Sequence, residues 1–328
     1  MIKQAIPYWQ RAGGRASQCS AYVEAVAHLT KGLELLAALP DAPERSRQEL
    51  TLRTALGPAL IATKGNAAPE VEHTYARAVE PCRQIGDPSQ LFPVLFGLRS
   101  VYLVRGEVQT AHELGEQLLS LAETAQDSGF LLEARIALGN TAYIRGELAL
   151  ARTQFERALD LYEPEHHRSH AFTYGLDPGV FILGRMAWTL WGLDYPDQAL
   201  QRGHEMLALA QKISPSPSFS SALARLYAAG IHCYRREPHP AQQRTEATIA
   251  LCTENKFANL LGRMISLQGL AFLEQGLHQE GIAKVRQGLA ACQATGAVLF
   301  RLFFLAPMIA SYGLPKGLTP RTCKRPKR

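Results

Sequence analysis

Seven times along the chain, a small or short-branched residue opens an apolar-periodic segment just after a glycine or a turn. These residues are Ala25, Val71, Ala111, Ala151, Ala199, Ala241 and Gly281, and their successive spacings are 46, 40, 40, 48, 42 and 40 residues. A recurrence of this length predicts a stack of helical hairpins, because one hairpin cannot bury its own apolar face and must share it with its neighbours. The fourth unit carries the pattern most fully. Leu131 to Ile144 is apolar at helical spacing, stops at Arg145-Gly146, and is followed by Ala151, Phe155 and Ala158 at i, i+4 and i+7, on one helical face. Small residues at Gly139 and Ala151 allow two antiparallel helices to approach closely, with Phe155 filling the space beside them. Gly146 suits the chain reversal between them.

The other units repeat the arrangement with variations. Gly106, Ala111 and Leu114 mark the third, Gly269, Gly276, Gly281 and Gly288 the seventh, and Gly13, Ala25 and Leu29 the first, with Trp9 and Tyr22 nearby. The set resembles the tetratricopeptide repeat, whose usual period of about 34 residues these longer units exceed. In the second unit Val71 replaces alanine, and in the third Arg99 falls where a small residue is expected. Asp41-Ala-Pro43, Gly86-Asp-Pro88, Asp177-Pro-Gly179, Ser214-Pro-Ser-Pro217 and Pro238-His-Pro240 disfavour helix continuation and are expected between units. No stretch alternates at period two for long. The predicted fold is all-α, a tetratricopeptide-like right-handed superhelical solenoid of about seven helical hairpins over residues 1–314, with 315–328 as a basic, disordered tail.

Charge changes this picture little. The 328 residues carry 35 Lys and Arg against 29 Asp and Glu, a net +6. Six of the basic residues fall in 315–328 with no acid, so the remainder balances. A neutral repeat body does not predict a phosphate-tracking face, and no specific nucleic-acid partner is expected. The six cysteines include no C-x-x-C pair and read as reduced, small apolar residues. No signal peptide and no apolar run of membrane-spanning length is evident, which points to a cytoplasmic protein with no membrane partner.

Candidate chemistry is sparse. His166, His167 and His170 form an H-H-x-x-H cluster beside Glu163 and Glu165, but the intervening Glu of helix-borne H-E-x-x-H zinc sites is missing. A polar loop is the expected reading, with no metal. Ala62-Thr-Lys-Gly65 and Gly313-Leu-Pro-Lys-Gly317 do not complete a phosphate loop, and no G-x-S-x-G elbow occurs. No catalytic residue and no cofactor is expected.

The aromatic residues carry more information. Counted back from Ala199, Trp188 and Trp191 fall at offsets that face the inner curve of such a stack. Asn140 and Tyr143 occupy the same offsets before Ala151, Tyr234 lies within one position of the second, and Arg263 lies two turns back on a similar face. Trp, Tyr and Arg bury large area with a polar handle, which makes these six the candidate binding groove. Filling space between helices is the competing role for both tryptophans. The longest interruption, residues 162–179, places Arg168, His170, Tyr174 and Asp177 either to contact a partner or to cap helix ends.

Five stretches, IPYWQRAGGRA, ALGPALIATKGNAAPEVEHTYARA, YLVRGEVQTAHELGEQLL, HHRSHAFTYGLDPGV and DYPDQALQRGHEMLALAQ, carry a family resemblance. They resemble the carboxy-terminal tetratricopeptide region of large bacterial signalling proteins, in which an adenylate/guanylate cyclase-like or kinase-like module precedes an AAA-type ATPase and then these repeats. The resemblance covers about residues 5–312. It implies a non-catalytic protein-interaction scaffold, the sensor or regulatory region of such an ATPase or cyclase, with a protein or peptide partner. A module sensing a small molecule or peptide in the superhelical groove is the alternative. Both ends depart from the pattern: Met1 falls inside the expected junction, and Ala310-Ser-Tyr-Gly313 begins an eighth unit that LPKGLTPRTCKRPKR does not complete. A truncated or frame-shifted product is therefore expected, and cyclase or ATPase activity is not transferred to it.

Overall fold

The structure, a computed structural model, describes residues 2–40, 42–213, 219–301 and 303–305. Its helices pair in sequence as hairpins: α1 (Ile2–Gln18) with α2 (Tyr22–Ala37), α3 (Pro43–Lys64) with α4 (Pro69–Ile85), α5 (Pro88–Arg105) with α6 (Val108–Ala125), and α7 (Ser128–Ile144) with α8 (Leu148–Leu161). Two short helices follow, α9 (Pro164–His167) and α10 (His170–Thr173). Then come α11 (Pro178–Gly192) with α12 (Pro196–Ile213), α13 (Phe219–Tyr234) with α14 (Pro238–Glu254), and α15 (Ala258–Glu274) with α16 (His278–Ala294). No strand occurs among the described residues, and no helix there is long and apolar enough to cross a membrane.

Every second helix is amphipathic in the same way. Its buried stripe is Ala25, Leu29, Gly32 and Leu36 in α2, Ala111, Gly115, Leu118 and Ala122 in α6, Ala199, Gly203, Met206 and Ala210 in α12, and Gly281, Val285, Gly288 and Cys292 in α16. The spacing i, i+4, i+7, i+11 keeps the stripe in line along the helix, where it packs on the preceding helix. Val71, Ala151 and Ala241 open equivalent stripes in α4, α8 and α14. The seven residues that set the period in the sequence thus all start the buried face of a second helix. First helices are enclosed on more sides. In α11, Pro178 to Leu190 are all buried, because this helix touches its own partner, both neighbouring units and the interior.

The turn inside each hairpin is also conserved as geometry. Five residues before six of the seven stripe-opening residues, the backbone takes a left-handed step: Ser20 (φ 59°), Gly106 (89°), Gly146 (80°), Asp194 (68°), Arg236 (55°) and Gly276 (82°). A residue with a Cβ pays about 1–2 kcal/mol there, so three hairpins hold a strained turn that glycine would relieve. Pro43, Pro88 and Pro178 open α3, α5 and α11 at the first turn, where the missing N–H has no intrahelical partner to lose. Pro238 opens α14 and so marks a turn within the sixth hairpin, not a boundary between units as its composition suggests. Residues 41, 214–217 and 306–328, including the start of an eighth unit and the basic tail, lie outside the described residues.

Arg99 does not fill the place of a small residue at a helix crossing. The close approach in α5 comes from Gly97, which lies against the Tyr75 ring of α4, while Arg99 points inward and is only 2% exposed.

The array curls until its last hairpin returns to its second. α15 packs on α3, Gly296 (φ 77°) sits against the carbonyl of Ala67, and Gly65 lies against the side chains of Asn259 and Thr295. Beyond α16 the chain crosses to α5, where the amides of Val298 and Leu299 both donate to the Val104 carbonyl at 3.1 Å. This closure encloses the concave side.

Candidate ligand-binding interior

The concave side holds a small cavity lined from the first helices α3, α5, α7, α11, α13 and α15, by Asn66 and the segment 174–176, and by Phe300 across one end. No residue of a second helix lines it.

Three arginines dominate its chemistry. Arg99 of α5 is held by its Nη2, which donates to the Ala137 carbonyl at 2.6 Å and to the Thr141 hydroxyl at 2.8 Å, while its Nε has no partner. Arg185 of α11 is 5% exposed and lies over aromatic rings: Tyr143 at 5.0 Å, Phe181 at 5.5 Å, Tyr227 at 5.6 Å and Trp188 at 5.9 Å. Its Nε is also unpartnered. Arg263 of α15 is 6% exposed and sits 4.3 Å over the Phe300 ring. Burial pushes the Arg99 guanidinium down to about 9, with the charge of Arg185 adding to the effect. Burial likewise brings Arg263 down to about 10, and Arg185 again contributes. Arg99 and Arg263 both remain cations at neutral pH. Among the described residues no carboxylate forms an ion pair with any of them.

The one lining acid is Glu133 of α7, buried at 2% exposure, and its Oε1 is 2.8 Å from His170 Nδ1. Burial raises its pKa and the contact with His170 opposes that rise. Beside it on α7, Asn140 turns an amide into the cavity whose oxygen has no hydrogen-bond partner.

Of the six groove candidates, Asn140 and Arg263 line the space directly. Tyr143 stacks on Phe303 with centroids 6.2 Å apart and backs Arg185. Trp188 does not line the space and packs between helices instead. It is 7% exposed, its Nε1 donates to the Tyr227 carbonyl at 3.0 Å, and Gly230 leaves just enough room for its ring. Trp191 is half-buried near the end of α11 and stacks on Tyr234 at 6.1 Å, so these two form an aromatic pair at the surface edge of the same cluster.

The interruption between the fourth and fifth units folds inward. Tyr174 is buried against Phe92, Phe96 and His170, and it lines the cavity. Asp177 caps α11: its Oδ1 accepts from the Val180 amide at 2.9 Å, the Tyr162 hydroxyl donates to it at 3.1 Å, and its own amide donates to Ser220. Arg168 is exposed. The three histidines serve different partners. His166 pairs with Glu163 at 2.6 Å, His167 accepts from the Glu163 amide at 3.0 Å, and His170 meets Glu133. Their ring nitrogens do not converge on one point.

Arg99 and Arg185 were not legible as site residues, although the sequence holds a signal. Leu183-Gly-Arg-Met186 recurs as Leu261-Gly-Arg-Met264 in segments with no other charge within eight residues after the arginine. A single guanidinium in a helix with no polar face must be buried, and there it needs a purpose.

Comparison with solved structures then supplies the fold class. The Rap conjugation gene regulator of the plasmid pLS20, in complex with the Phr* peptide, superposes with a TM-score of 0.69 at 13% identity, over 95% of this chain and 78% of its own. The apo form of RapI gives 0.60 at 13% identity, over 88% and 98%. The fold is a tetratricopeptide-like solenoid. NprR in complex with its cognate peptide NprX is similar as well, at 0.56 and 13% identity over 95% and 84%. In sequence, the chain is 24% identical over 327 residues to the uncharacterized protein R02095 of Rhizobium meliloti (strain 1021), covering 98% of this chain but 31% of that relative's length. No protein-family profile matches the chain.

Proposed function

We propose that this chain is a non-catalytic regulatory scaffold whose curled interior receives a short peptide. The observation that carries the reading is a cavity lined mainly by first helices in which buried hydrogen-bonding groups, Asn140 Oδ1 and the Nε atoms of Arg99 and Arg185, lack partners. A buried polar group without a partner costs about 1–3 kcal/mol, and a ligand would supply what the protein does not. Support comes from the pLS20 regulator and NprR, similar solenoids whose structures hold the Phr* and NprX peptides. Asn140 would bond the peptide backbone and Arg263 an acidic group, with Tyr143, Trp191 and Tyr234 as flanking apolar contacts. No catalysis is assigned, because the titratable groups nearby serve one another, Glu133 with His170 and Tyr162 with Asp177.

The regulatory setting belongs to the same proposal. A chain spanning 31% of its relative's length fits the sensor part of a larger cytoplasmic signalling protein, and the sequence resemblance names an AAA-type ATPase or cyclase as effector. A small-molecule ligand is the second reading, favoured by the segment 298–300 lying across the interior. The test is retention of peptides from a short-peptide pool through gel filtration, read by mass spectrometry. Retained peptides whose affinity falls at least about fivefold in Asn140→Ala would support the reading, since a lost buried hydrogen bond is worth about 1 kcal/mol. No retained peptide would contradict it.

A further inference from the structure

We infer that the interior is an anion site, enclosing a carboxylate or phosphate group of the ligand between Arg99, Arg185 and Arg263. The inference rests on the ligand-binding reading above and adds the chemical class. Three guanidinium groups from three separate helices share one buried space, at 2%, 5% and 6% exposure. Buried charges are ordinarily paired, because an uncompensated one forfeits its hydration. Among the described residues the only lining carboxylate, Glu133, is already engaged by His170. The fold therefore holds more positive charge inside than it can neutralise.

The manner in which each arginine is held points the same way. Rings surround Arg185 and Phe300 lies against Arg263. Ring contacts offset part of a cation's charge, but they provide no oxygen acceptors for the planar fork of N–H donors that matches carboxylate and phosphate oxygens. Arg99 is braced from one side only, through Nη2 to Ala137 and Thr141, which fixes its direction and leaves Nε free. Burial together with the like charge of Arg185 disfavours the charged forms of Arg99 and Arg263, and an anion beside them would oppose that effect.

The experiment uses the full chain in thermal melting and calorimetric titration at constant ionic strength. The probes are inorganic phosphate, citrate, and a pool of short peptides with either a free or an amidated carboxy terminus. At least one anionic probe is expected to raise the melting temperature with concentration. Phosphate, citrate and free-acid peptides separate the sources of the anion. Arg185→Met and Arg263→Met are each expected to weaken that probe at least about tenfold, in line with loss of a buried charged contact. Without ligand they should melt no lower than the wild type, because each relieves like-charge repulsion. Two variants guard against one of them failing to fold. Absence of any anion-dependent shift in the wild type would overturn the inference. Equal binding of free-acid and amidated peptides, unchanged in both variants, would overturn the anion assignment while leaving a peptide-binding interior standing.

Discussion

The Tyr75 ring lies between two glycines, Gly57 of α3 and Gly97 of α5, and a Cβ at either would overlap it. One aromatic side chain, 2% exposed, thus sets the approach of two helices to α4. Gly97→Ala should destabilise the protein by roughly 1–3 kcal/mol through overpacking. Combined with Tyr75→Leu it should cost less than the sum, because the smaller side chain makes room. Urea unfolding of the four proteins checks this, and simple additivity would show that the ring does not govern the crossing. Trp188 and Trp191 divide at the same scale. Trp188→Ala should cost about 3–5 kcal/mol as a buried ring that donates to Tyr227, whereas Trp191→Ala should cost about 1 kcal/mol or less. Equal losses would refute the division. The spacing of three residues on one helix placed both rings in the same neighbourhood, but not their depth, which depends on Gly230 across the gap. Arg185 escaped notice for a related reason: its neighbours in sequence are apolar, and only the folded chain brings Arg99 and Arg263 beside it.

At the scale of elements, the second helices were legible and the segment 162–179 was not. Stripes at i, i+4, i+7 and i+11 follow from helical geometry, so a single chain displays them. The irregular turns hid better, because Ser20, Asp194 and Arg236 adopt the backbone that glycine adopts elsewhere. In 162–179 a polar interruption was expected, and the segment is an inward-folded plug held by His167, His170 and the cap Asp177. Burial holds the His167 imidazole below its usual range, with neighbouring His170 contributing. As pH falls through about 6.5, the unfolded chain binds a proton that the folded segment refuses, so stability declines until the folded pKa is reached. Glu133 acts in the opposite sense, because its pKa is raised, and stability from it grows as pH falls toward its unfolded value near 4.3. Destabilisation between about pH 7 and 6 is therefore assigned to His167. Chemical denaturation across that range should show a shallower pH dependence in His167→Asn than in the wild type. Identical slopes would remove His167 from the plug.

At the scale of the molecule, the number of hairpins was readable from the period, whereas closure was not. It depends on contacts between the seventh unit and the second, about two hundred residues or more apart, such as Gly65 with Asn259 and Thr295, and Ala67 with Gly296. Net charge misled in the same way, since a balanced body conceals how its charges are sorted. Several acids lie on outer surfaces in local pairs such as Arg152–Glu156, while three arginines face inward with Glu133 as the acid lining the same space. Gly296→Val should open the seam, because φ is 77° there and a side chain would press on the Ala67 carbonyl. Faster hydrogen exchange in α5 and α15 than in the wild type is expected, and unchanged exchange would mean that the seam does not enclose the interior. Hydrogen exchange of the wild-type chain, free and saturated with a peptide recovered from the pool, tests the binding interior most directly. Protection should concentrate in the first helices α5, α7, α11 and α15 around Arg99, Asn140, Arg185 and Arg263. Protection confined to the outer helices α6, α8, α12 and α16 would contradict an interior site.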